Sequence, residues 1–142
     1  MNIAVLRATG SAAALAAVRS ALNLDVDREW KKGDPGRRGA VNEDSGFNAC
    51  VADVDNPAAL MVKLREFLAT CKTSGAILAS PELSTQLDVG LSVGGSRQFS
   101  ASLILSPSDL GLFAELGMEL SVSAYPVSDE VTGAGGEGAQ SG

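Results

Sequence analysis

Residues Asn2 to Ala8 are apolar and β-branched enough to predict a first strand, and Thr9-Gly10-Ser11 then supplies a turn with a hydroxyl able to cap a helix. In the stretch that follows, Leu15, Val18 and Leu22 recur at helical spacing among alanines, which predicts a thin helix lying close on a sheet. From Asp25 to Gly46 the periodicity gives way to charges, glycines and one proline, a long polar loop with room for a short strand inside it. Phe47 to Val54 returns to strand character. Asn56-Pro57 then announces a second helix, because asparagine accepts first-turn amide protons and a proline at the first helical position gives up no hydrogen bond. Its apolar stripe is Leu60, Leu64, Phe67, Leu68 and Cys71, and Gly75 can end it.

Further on, Leu87, Val89, Leu91 and Val93 alternate with Asp88, Gly90 and Ser92, and after Gly94-Gly95 the residues Phe99, Ala101, Leu103 and Leu105 alternate with serines. That pattern predicts a hairpin with one packed face and one wet face, the habit of antiparallel sheets. Ser106-Pro107-Ser108-Asp109 comes close to a capping box and predicts a brief third helix through Leu112, Phe113 and Leu116. Leu120, Val122 and Ala124 form a last strand, stopped at Pro126. The expected architecture is a single α+β domain over 1–127, an antiparallel sheet with helices packed mainly on one face, in the order β-α-(loop)-β-α-β-β-α-β. Residues 128–142 are Gly-rich and acidic, with too little apolar surface to offset ordering entropy, and read as a flexible tail.

Composition narrows the chemistry. The 142 residues contain no histidine, which removes imidazole bases, Ser-His-Asp and Cys-His nucleophile systems and His-ligated metals together. Folding a chain of this length buries roughly two-thirds of its surface, so disulfides and structural metals are dispensable. Cys50 and Cys71 lack CxxC spacing and read as two small buried thiols in a reducing cytoplasm. No apolar run is long enough to span a bilayer. Arg7 before an alanine-rich stretch has the outline of a secretory leader, but Arg19 follows at once and the N-terminus reads better as a strand.

The aspartate pairs Asp25/Asp27 and Asp53/Asp55 can bind a divalent cation through oxygen, yet without a third ligand they are better explained by turns and caps. An aspartate-based, metal-dependent enzyme is the weakest of the functional readings. Gly94-Gly95 lacks the context of a nucleotide cradle, and no cofactor fingerprint is present. With no paired catalytic carboxylates and no activated nucleophile, the chain is not expected to be an enzyme.

Charge singles out one segment. Between Arg28 and Arg38, five basic residues (Arg28, Lys31, Lys32, Arg37, Arg38) meet two acidic ones (Glu29, Asp34), a local +3 in a chain of net charge −6. Gly33 and Gly36 free the backbone around Pro35, and the arginines offer planar forks for carboxylate or phosphate. In the bland reading, Trp30 covers a sheet edge while Asp34 pairs with Arg37 or Arg38 in a solvated turn. In the functional reading, Arg28, Trp30, Lys31, Lys32, Asp34, Arg37 and Arg38 bind a protein partner with an acidic surface. An alternative gives the same loop a nucleic acid or phosphorylated ligand, with Trp30 stacking on a base, although the negative total charge opposes nucleic acid or an anionic membrane as a partner for the whole surface. An exposed edge strand also leaves homo-oligomer formation open.

Trp30-Lys31-Lys32-Gly33-Asp34, the central Leu60/Leu64/Leu68 helix, and Leu116-Gly117 leading to a strand ending at Tyr125 together resemble a bacterial family of uncharacterised domains, domain of unknown function forty-two seventy-nine. The resemblance spans most of residues 3 to 125. The chain differs from that family at Gly39-Ala40-Val41, where the family carries a second aromatic. The resemblance implies an α+β fold and no particular reaction. Some related small bacterial domains are immunity-like or partner-binding proteins.

Overall fold

The computed structural model describes residues 1–127, and in it three side-chain caps start the three helices. Ser11 accepts the Ala14 N–H (3.2 Å) at the head of α1, Ala12–Leu22. Asn56 accepts the Ala59 N–H (2.8 Å) at the head of α2, Pro57–Ser74. At the head of α3, Pro107–Leu116, Ser106 Oγ accepts the Asp109 N–H and Asp109 Oδ2 accepts the Ser106 N–H, a full capping box. Left-handed residues Asn23, Gly75 and Gly117 close the three helices.

Five strands, β1 (Asn2–Gly10), β2 (Arg28–Trp30), β3 (Ser45–Val54), β4 (Leu83–Val93) and β5 (Glu119–Pro126), form one sheet in the order β2-β3-β1-β4-β5. β1 is central and antiparallel to both neighbours, and β2 is antiparallel to β3. The fold is α+β with a mostly antiparallel sheet, as the sequence pattern predicts, and β2 is the short strand expected inside the polar loop.

Two details of the sheet differ from expectation. The predicted hairpin does not form: past Gly94, whose N–H donates to Phe99 O (2.9 Å), residues 99–105 run without strand pairing. Ala101, Leu103 and Leu105 are partly buried against the core while Phe99 is 78% exposed, so the alternation there reflects one-sided burial without a partner strand. The place beside β4 belongs to β5, which α3 returns in parallel, making the sheet mixed.

Packing is one-sided. Ala4, Leu6 and Ala8 of β1, Phe47 and Ala49 of β3, and Leu87, Val89 and Leu91 of β4 are buried with Leu15, Val18, Leu60, Leu64 and Leu68 of the helices. Intervening residues such as Arg7, Gln86 and Asp88 lie on the opposite face, which no helix of the described residues covers. Cys71 is fully buried on α2, whereas Cys50 is exposed on β3, a correction to the expectation of two buried thiols. Its strand partner Val5 and the neighbouring Arg7 explain this, since Cys50 falls on the uncovered phase of β3. The segment read as a flexible tail, 128–142, lies outside the described residues. Among the described residues no helix is long and apolar enough to cross a membrane.

One buried charge ties the helical layer together. Asp109, its side chain 6% exposed, is held by Arg65 of α2 through Nη2 (3.2 Å) and Nε (3.3 Å to each oxygen). The Arg65 hydrogen bonds, followed by the Ser106 N–H, outweigh desolvation and lower its pKa below the ordinary aspartate value. Asp109→Ala is expected to cost about 2 kcal/mol, from the lost cap and charged hydrogen bonds. Because the folded pKa is depressed, this stabilisation is complete above the unfolded aspartate value and disappears as pH falls through the folded one. Thermal melts of both proteins across acidic pH should therefore converge as the pH drops.

Candidate functional site

The triplet Arg28-Glu29-Trp30 sorts its side chains by strand alternation. Glu29 pairs in register with Phe47 and so faces the helices, where its carboxylate meets Arg19 of α1 at 2.9 Å. Arg28 and Trp30 pair with Asn48 and Gly46 and share the uncovered face. Gly46 is what admits the indole: a Cβ built there would stand 2.7 Å from Trp30 Cε2 and 2.7 Å from Ala8 O, so Trp30 lies directly on bare backbone. Trp30 is thereby half-buried, at the boundary between apolar and wet surface that a tryptophan with one polar N–H favours.

Two guanidinium groups complete this cluster. Arg28 Cζ lies 5.7 Å from the Trp30 ring centroid, and Arg7, reaching over from β1, lies 5.1 Å from it. Each such contact contributes about 0.5–1 kcal/mol at an exposed position and leaves the N–H donors free. Between them in the sheet sits Asn48, paired with both Arg7 and Arg28, and its buried Oδ1 has no hydrogen-bond partner among the described residues. A cleft of about 360 Å³ opens at this point, lined by Arg7, Arg28, Trp30 and the returning loop at Gly36 and Ala40 to Asn42.

That loop is built, with its own internal hydrogen bonds. Gly33 N–H donates to Asn42 O (2.8 Å), Asn42 N–H to Asp34 O (2.9 Å), and Pro35 bridges Val41. Gly33 (φ 90°) supplies the left-handed backbone the turn requires. The Asp34 carboxylate accepts the Lys31 N–H (2.8 Å), and Lys32 N–H donates to Ser45 Oγ (3.0 Å). Asp34 is thus a turn-former, and the Asp34 pairing with Arg38 considered in the bland reading does not form. Arg37 opens a short 3-10 turn, Arg37–Gly39, in which Arg38 adopts φ 55°.

Arg28, Lys31, Lys32 and Arg38 are exposed, and among the described residues no carboxylate forms a salt bridge with any of them or with Arg7. Glu43 and Asp44 follow on the same loop, and Asp44 shares a separate hollow with Lys32 near the start of α1. Arg7 and Arg28 therefore put their charge on the uncovered face around Trp30, while Lys31 lies toward the helix side of the edge and Lys32 toward Asp44. Arg7 belongs to this site although sequence reasoning did not find it, because only the β1/β3/β2 register brings it to Arg28.

A second hollow lies on the helix side of the same edge. It measures about 520 Å³, with Phe47 and Leu15 at its floor, Ala12 and Ala16 of α1 as one wall, and the Arg19–Glu29 pair at its rim.

The acidic pairs do not assemble. Asp27 accepts the Cys50 N–H through Oδ2 (2.6 Å), fastening the loop to the edge of β3. Among the described residues no three His, Cys, Asp or Glu side chains are grouped to hold a metal ion. Desolvation, then the negative charges of Asp27 and Asp53, push the Cys50 thiol up from its ordinary pKa, the opposite of what nucleophile activation needs.

Comparison with known families, with characterised proteins and with solved structures finds no match to this chain.

Two outcomes follow from this geometry. Gly46→Ala should displace the indole, red-shift the emission of the single tryptophan and lower stability by about 1–3 kcal/mol, as overpacking does; fluorescence spectra and urea melts check both. Cys50, although exposed, should react with a disulfide reagent at neutral pH more slowly than an unstructured cysteine peptide, in a stopped-flow comparison.

Proposed function

We propose that this protein is a noncatalytic bacterial interaction module, immunity-like in kind, that binds the acidic surface of a protein partner through the Arg28 to Arg38 segment and the adjoining sheet face. One observation carries the reading: Arg7 and Arg28 lie against Trp30 beside an open cleft with no carboxylate of the described residues paired to them. Guanidinium donors held in place without an internal partner are preorganised for carboxylates. Lys31, Lys32 and Arg38 extend the same field and steer an anionic surface toward it. The raised thiol of Cys50 and the scattered aspartates favour binding over catalysis. Two unpaired cysteines suit a reducing cytoplasm. Kinship with the family of unknown function forty-two seventy-nine is part of the same proposal and rests on the Trp30 to Asp34 loop.

The nucleic-acid alternative needs an indole face free for a base, and here the indole lies against Gly46 with two guanidinium groups close by. That favours the acidic protein.

Trp30 is the only tryptophan, so its emission reports directly on the site. Titration with polyglutamate at low salt is expected to change that emission, with affinity falling as salt rises. The double variant Arg28→Glu, Lys32→Glu should weaken binding at least about tenfold while lowering the melting temperature by only the few degrees that loss of the Arg28–Trp30 contact costs, since neither side chain forms an ion pair among the described residues. Absence of any response to polyglutamate, or equal binding by the double variant, overturns the proposal. Clearly tighter binding of a single-stranded oligonucleotide transfers the site to nucleic acid.

A further inference from the structure

We infer that the partner segment enters as an extended strand of alternating apolar and acidic residues that pairs with the free edge of β2. This rests on the acidic-partner reading above and specifies its shape. β2 is the terminal strand of the sheet, so among the described residues one side of Arg28–Trp30 has no neighbouring strand. Edge backbone groups are satisfied by water or by an added strand, and strand addition is a recurring mode of peptide capture.

What distinguishes this edge is that its two faces differ in chemistry. A strand laid beside β2 projects alternate side chains to opposite faces of the sheet. Toward the helices, they meet the hollow floored by Phe47 and Leu15 and walled by Ala12 and Ala16. The Glu29 carboxylate and Arg19 there are engaged with each other and Lys31 stands at the margin, so what the hollow offers at its floor is the apolar surface of Phe47 and Leu15, and this face takes an apolar side chain. Toward the uncovered face, the incoming side chains meet Arg28 beside Trp30 and Arg7. That face takes a carboxylate.

A second copy of this chain is a poor occupant of the edge. Pairing β2 with β2 brings Arg28, Lys31 and Lys32 of one molecule against the same cations of the other, and like charges across a ladder are destabilising. The three-residue length of β2 and the two lysines that follow it, Lys31 and Lys32, discourage self-pairing while leaving the edge open to a segment of opposite charge.

The test uses the full chain and short peptides of identical composition, read by Trp30 emission. One peptide alternates glutamate and valine; a second has the glutamates and valines in separate blocks; a third is the alternating peptide with every other amide N-methylated. The alternating peptide is expected to bind at least about tenfold more tightly than the other two. Ala16→Phe, at an exposed position of α1 lining the hollow, should remove that advantage and leave polyglutamate binding unchanged. If the variant does not fold, the comparison of peptides on the unaltered protein decides alone. Equal affinity of all three peptides, with Arg28→Glu still weakening each, overturns the strand-pairing inference and leaves the acidic-partner reading intact. Failure of every acidic ligand to bind removes both.

Discussion

The rest of the structure depends on a single constraint, the two-residue alternation of β1 beneath one helical layer. Ala4, Leu6 and Ala8 are fully buried, and two of the three are alanines, which lets α1 and α2 lie close on the sheet. Because strand side chains alternate strictly, burying this phase commits Ile3, Val5, Arg7 and Thr9 to the uncovered face. β3 and β4 inherit that division through their register with β1, and β2 inherits it through β3. The position of Arg7 next to Trp30 is thus decided by hydrophobic packing on the other side of the sheet.

The same constraint explains what could be read from the sequence and what could not. Local signals succeeded: the Ser11, Asn56-Pro57 and Ser106-Pro107 caps each sit where side-chain chemistry demands. The alternation of residues 99–105 misled because period two is produced by any extended segment with one buried side, and Ala101, Leu103 and Leu105 pack on the core without a ladder partner. Parallel placement of β5 is a long-range outcome of the crossover through α3, which no local pattern encodes. At the site, the basic loop and its tryptophan were legible as composition. Arg7, lying in a different strand, and Gly46, a lone glycine beside Phe47, acquire their meaning only from register.

β2 shows how three residues can carry opposite charges without cancelling them. Glu29 on the helix side is neutralised by Arg19, which itself lies 5.9 Å from the Phe47 ring centroid. Arg28 on the other side is kept away from Glu29 by the pleat and is held by an aromatic ring in place of a carboxylate. Aromatic support orients a guanidinium while leaving its charge and donors for a ligand; an internal salt bridge would orient it and consume both.

Under the binding role proposed above, this division gives different tasks to the two sides of the edge. In the proposed complex, exposed cations such as Lys31 and Lys32 would accelerate and orient encounter, yet solvent and salt screen them, so they would contribute little to holding the partner once bound. Holding requires desolvated contact, and at this edge the apolar volume for it lies over Phe47 and Leu15, on the face away from Arg28. A partner that used only one face would be either quickly found and quickly lost or slow to arrive. The proposed extended segment, crossing the end of β2, would reach both at once, because its own alternation matches the alternation that divided the faces.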